Sequence, residues 1–187
     1  MERLEALARA FQLYWDDMER CRQAKAYWSL LHVTVCLPDI CAALESPDGE
    51  AKGKRYEAWC DKYLPHPKLP GTERWALRNK VLHQGRAATD KPGRYARFAF
   101  GQPAETGEVD HMRVVSRTLH LDVGELARET WKGVNDWITQ IRTNPHSVEA
   151  KNVKENLAKL VRVNTILTQR PNPLPGAPTE MRWHKTS

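Results

Sequence analysis

Arg78, Asn79 and His83 are the side chains of this sequence best suited by type and spacing to act on a phosphodiester. An imidazole titrates near neutrality and can move a proton to or from a ribose hydroxyl or a leaving oxygen. A guanidinium keeps its charge, holds phosphate at two points and stabilises charge building at phosphorus. Asn79, one turn before His83, is placed to orient the ring or to contact phosphate. Together these groups suffice to cleave RNA through its own 2′-hydroxyl, with no metal ion. Spacing alone also has a bland alternative. An arginine and a histidine five residues apart recur by chance, and an internal acid such as Asp39 or Glu45 could neutralise the arginine.

The three residues need a helix to bring them together. On a wheel of about 100° per residue, residues 72–86 place Leu77 and Val81 at one edge of an apolar sector, with Trp75 and Leu82 at the other. Arg78 falls between those edges. Asn79, His83 and Arg86 gather on the flank beside Trp75. A buried charge is costly without a partner, so Arg78 requires a carboxylate, a phosphate or a partner surface. Thr72 is the expected N-cap of this helix, with Glu73 in its first turn.

Around it the sequence predicts an all-α bundle. Residues 1–22 read as an amphipathic helix with Leu4, Leu7, Phe11, Tyr14, Trp15 and Met18 on one face. Residues 24–44 read as a more buried helix that Pro38 kinks or restarts. Ser46-Pro47-Asp48-Gly49 is a turn. Residues 54–63 form a short helix, and Pro65, Pro67 and Pro70-Gly71 break the chain before the motif. Beyond Arg86, residues 95–100 and 112–121 read as two strands of an inserted antiparallel hairpin (about 94–121), with a loop at 101–107. Asp122 is the expected cap of a long helix over 123–142. Ser147 is the expected cap of an extra C-terminal helix over 148–168. Residues 1–168 therefore read as one domain, and the proline-rich 169–187 as a tail without a core of its own. Tryptophans at helical spacing, Trp28 included, are expected mostly in the core.

The chain has 187 residues and a formal net charge of +6. No run approaches the roughly 18 consecutive apolar residues of a membrane span, and residues 1–22 do not resemble a secretory signal. Four cysteines without a C-x-x-C pair point to reduced thiols in a cytoplasmic protein. No cofactor is expected. His32 and Cys36, one turn apart, are expected as a core pair and not as metal ligands. Nothing matches G-x-S-x-G or a glycine-rich phosphate loop. Arg74, Arg78, Lys80, Arg86, Lys91, Arg94 and Arg97 face a single acid, Asp90, with Tyr95, Phe98 and Phe100 among or after them. Such a stretch either binds phosphates and stacks bases or is a solvated helix end leading into a strand.

Arg78-Asn79-Lys80-Val81-Leu82-His83 resembles the R-[N/D/H]-x-x-x-H signature of the HEPN superfamily. These are small all-α domains, many of them metal-independent endoribonucleases of toxin, phage-defence and RNA-processing systems. The resemblance implies an up-down bundle with this motif on a late helix. It also implies a homodimer through the motif helix, with Arg and His of two protomers around a shared cleft. Arg78, His83 and Asn79 would be catalytic, Lys80 and Arg86 RNA contacts, and RNA phosphate the counter-charge. An antitoxin or regulatory protein would be a further partner. Some HEPN toxins carry a tyrosine two residues after the histidine, modified by a nucleotidyltransferase. Here that position is Gly85, against regulation by that route. Other members are non-catalytic RNA- or protein-binding modules.

Overall fold

The computed structural model describes residues 2–84, 94–102 and 110–160. These residues form a mostly helical fold with a small three-stranded sheet. Its helices are α1 (Glu2–Gln23), α2 (Tyr27–Glu45), α3 (Gly53–Tyr63), α4 (Gly71–Gln84), α5 (Val123–Thr143) and α6 (Val148–Asn156). The strands β1 (Arg97–Gly101), β2 (Arg113–Val115) and β3 (Thr118–Asp122) lie between α4 and α5 in the chain.

α2 is the central element, packed against α1, α3, α4, α5 and α6. Its composition explains the position. Leu30, Leu31, Val35, Leu37, Cys41 and Leu44 are buried on several sides of the helix, which no single-faced amphipathic helix achieves. By length and composition alone α2 could cross a membrane, but half of it is buried inside the fold, as in a core helix. The helix runs through Pro38 without restarting. The missing proline N–H removes one helical bond, and packing by five neighbouring helices holds the element together.

The other helices bury the faces their periodicity marks. Leu7, Phe11 and Met18 of α1, Tyr56, Trp59 and Cys60 of α3, and Leu126, Val134, Trp137, Ile138 and Ile141 of α5 join one core. Trp137 sits at its centre, with ring centroids 5.4 Å from Phe11 and 6.5 Å from Trp59. Its indole N–H donates to Glu45 Oε2 at 2.9 Å. Burial raises the Glu45 carboxyl above its usual range, partly offset by that hydrogen bond and by Lys62. Trp28 departs from the expectation. It is 63% exposed at the start of α2, because residues 28 and 32 lie on the solvent side of a helix whose other sides are covered. His32 is exposed with it and donates from Nδ1 to the Trp28 carbonyl (2.7 Å), so the expected core pair with Cys36 does not form.

The expected hairpin is also corrected. β1 pairs in parallel with β3, and the antiparallel partner of β3 is β2, giving the order β1-β3-β2. Residues 112–121 therefore hold two strands, joined by Ser116-Arg117 with φ of 47° and 61°. Two positive φ values at a two-residue turn are the hairpin geometry that normally selects Asn-Gly. Ser-Arg carries no such mark, so the turn was hidden in an apparently continuous strand. The expected 101–107 loop falls mostly outside the described residues.

Capping follows the sequence at two of three sites. Asp122 accepts from Glu125 N (2.8 Å) and Ser147 from Ala150 N (3.0 Å). Thr72 is not a cap. α4 begins at Gly71, the Pro70 carbonyl accepts from Glu73 N and Arg74 N, and the Gly71 N–H donates to Asp61 Oδ1 at 2.6 Å. The cap thus comes from α3, a tertiary partner invisible in local sequence. The last helix is shorter than expected. α6 ends at Asn156 and a 3₁₀ turn follows over Leu157–Lys159, where Asn156 Nδ2 donates to the carbonyls of Leu44 and Ser46. Residues 161–168 and the 169–187 tail lie outside the described residues.

Candidate active site on α4

α4 presents its motif against the middle of α2. Leu77 and Val81 are buried and fix the helix in rotation, which turns Arg78 toward α2. The Arg78 side chain keeps 17% of its exposure and meets Asp39, whose side chain keeps 15%, through Nη2 and Oδ2. Arg78 Nη1 donates to Asn79 Oδ1 at 3.0 Å and lies 2.8 Å from His83 Nε2. The guanidinium carbon stands 5.2 Å from the Trp75 ring centroid, a cation–π distance. The motif's three candidate catalytic residues are therefore in one hydrogen-bonded group.

The electrostatics are mixed. Burial pushes the Asp39 carboxyl above its ordinary range, and the Arg78 charge pulls it back only in part. Burial likewise raises the Cys36 thiol, one turn before Asp39, against the same guanidinium. Among the described residues, Asp39 Oδ1 and Arg78 Nε are both buried without hydrogen-bond partners. Because an arginine only donates, the short contact to His83 Nε2 requires that nitrogen to accept. In that contact the lone pair is on Nε2 and the ring N–H is Nδ1, and His83 itself is exposed.

The counter-charge of Arg78 comes from its own fold. Asp39 was one of two acids the sequence offered for that role. The other, Glu45, is committed to Trp137. Lys80 is partly buried on the same helix, two positions beyond Arg78, a spacing at which helical side chains do not face each other. Arg86 lies outside the described residues.

The basic stretch separates into unlike parts. Arg74 is only 4% exposed. Its Nε and Nη2 donate to the carbonyls of Leu69 (3.1 Å) and Leu64 (3.4 Å), closing the loop before α4. Its burial lowers the guanidinium's proton affinity, though an arginine stays charged. Tyr95 and Phe98 are core residues, so neither can stack on a base. Arg94 donates to the Pro67 carbonyl and lies over Tyr95. Arg74 could have been found from the sequence, since the wheel that isolates Arg78 puts residue 74 one turn earlier on the same stripe. Trp75 as a face for Arg78 was not legible there.

All four cysteines are free thiols, and burial pushes Cys60 up to about 12, far from a reactive thiolate. Among the described residues no three His, Cys, Asp or Glu side chains converge as metal ligands. Comparison with known protein families, curated proteins and solved structures gives no match.

Proposed function

We propose that the protein is a metal-independent endoribonuclease of the HEPN type, possessing an Arg78–His83 centre. The observation that carries this reading is the 2.8 Å contact between Arg78 Nη1 and His83 Nε2. It puts a fixed positive charge beside a proton-transfer group on a partly exposed helix face. In the reaction the substrate 2′-hydroxyl oxygen bonds to the adjacent phosphorus and the P–O5′ bond breaks. The products are a 2′,3′-cyclic phosphate and a 5′-hydroxyl. His83 is the general acid or base for the proton leaving the 2′-oxygen or reaching the 5′-oxygen. Arg78 stabilises the pentacoordinate transition state. Asn79 orients the pair, and Lys80 and Arg86 contact RNA. The active species is a homodimer through α4 in the cytoplasm, with an antitoxin or regulatory protein as partner.

Purified protein is expected to cut single-stranded RNA in excess EDTA and to spare a substrate with 2′-deoxyribose at the cleaved position. His83→Ala and Arg78→Ala each lose about 10²-fold or more while remaining folded. Cleavage that survives both substitutions removes the assignment.

A second reading is a non-catalytic dimeric module that binds RNA or protein. Asp39 favours it, because a guanidinium already paired inside the fold has less call on a phosphate. RNA binding without cleavage under any condition selects this reading.

A further inference from the structure

We propose that Asp39 is a positioning residue, which fixes the Arg78 guanidinium and through it the Nε2 lone pair of His83. The proposal rests on the nuclease reading for its kinetic consequence, but its geometry stands apart from it. Asp39 belongs to α2, and its nearest relation to the motif is spatial, 39 positions away in sequence.

The hydrogen-bond pattern of the guanidinium carries the argument. A carboxylate that only neutralised Arg78 would do best in a fork-to-fork pair, with both oxygens on two N–H groups. Asp39 instead makes one contact, at Nη2. Among the described residues its Oδ1 and the Arg78 Nε meet no partner and are buried, a local cost that a native structure rarely leaves without reason. What that arrangement retains is the other edge. Nη1 reaches Asn79 Oδ1 and His83 Nε2 at once. The guanidinium is thus a bridge, tied to α2 at one nitrogen and to the end of α4 at the other. Trp75 supplies a face for it but no directional restraint.

Without Asp39 the planar group is free to turn about its long side chain, and the donor at His83 is no longer fixed. Misplacement of about 1 Å at a reacting pair is enough to cost about 10²-fold in rate. Asn79 cannot substitute for Asp39, since it holds the same Nη1 that serves His83.

The test compares the full-length wild type with Asp39→Ala, Asp39→Asn and Asp39→Glu. Imidazole ¹⁵N signals of His83 are read near pH 9, where imidazoles are neutral. Wild type is expected to show a protonated Nδ1 and a bare Nε2. Asp39→Ala is expected to shift to a tautomer mixture, and Asp39→Glu to return toward wild type. In EDTA-resistant cleavage of a single-stranded RNA oligonucleotide, Asp39→Ala is expected to lower kcat by about tenfold or more. KM should stay within about threefold. If the alanine variant does not fold, Asp39→Asn, which keeps the shape without the charge, is read in the same two ways. An unchanged His83 signature in a folded variant overturns the proposal, as does a change confined to KM. If wild type cleaves no RNA, the nuclease reading fails, and the His83 tautomer alone decides for or against Asp39.

Discussion

Arg78 of α4 and Asp39 of α2 form an ion pair in which each partner keeps one buried polar atom unmatched among the described residues. Removing one side strands the other in a site that is five-sixths enclosed. Asp39→Ala is therefore expected to destabilise the fold by about 2–3 kcal/mol, below the usual cost of breaking a fully buried pair because some solvent access remains. Replacing both residues, as in Asp39→Ala with Arg78→Met, should recover a large part of that loss. Urea unfolding of the single and double variants checks the sign. Equal losses that simply add would show that the two side chains are energetically independent.

Gly71 sets how closely α3 and α4 approach. A Cβ there would stand 2.2 Å from the Glu57 carbonyl oxygen, with no flexible side chain to give way. Gly71→Ala should cost at least about 2 kcal/mol, as overpacking against backbone does, and should disturb the motif helix as well. At Gly101, a Cβ meets, among the described residues, only the Leu121 carbonyl at 4.0 Å. Gly101→Ala is the control and should change stability by less than about 1 kcal/mol. Thermal melts of the two variants separate the positions.

Trp28 and Trp137 should behave oppositely although both lie on helices that pack into the core. Trp137 is fully buried and bonded to Glu45, while Trp28 is 63% exposed. Trp137→Ala is expected to cost about 3–5 kcal/mol and Trp28→Ala less than about 0.5 kcal/mol. A large loss at Trp28 in solution would mean that a second molecule covers it.

Periodicity identified the helices because each face it marked is a face that packs. Leu7, Phe11, Trp59, Val134 and Trp137 all lie in the core where a 3.6-residue repeat puts them. The Asp122 and Ser147 caps were legible because each acts on its own helix within three residues. Failures came where the deciding partner is distant. Asp61 starts α4 two positions early, and the carbonyls of Leu44 and Ser46 hold Asn156 at the end of α6. The parallel pairing of β1 with β3 depended on a turn with no glycine or asparagine to reveal it. In the site, one helix brings Arg78, Asn79 and His83 together, and local sequence suffices for that. Asp39 enters from another helix, so the sequence could only name it among the acids available.

Glu45 provides a pH-dependent test of the core. Its carboxyl is raised by burial, so the folded state holds a proton there more tightly than the unfolded chain does. The sign follows from linkage. This group favours folding below its ordinary value near 4.3, and that contribution is lost as pH rises through the higher folded value. Lys62 opposes the shift, and Glu149 and desolvation reinforce it. Glu45→Gln keeps an oxygen acceptor for the Trp137 N–H and removes the ionisation. The variant is expected to be as stable as wild type near pH 4 and more stable at pH 7, with the gap opening between. Chemical unfolding at a series of pH values measures it. A gap that narrows toward pH 7 would mean that the ionised carboxylate is stabilised in the fold, and that Lys62 outweighs burial.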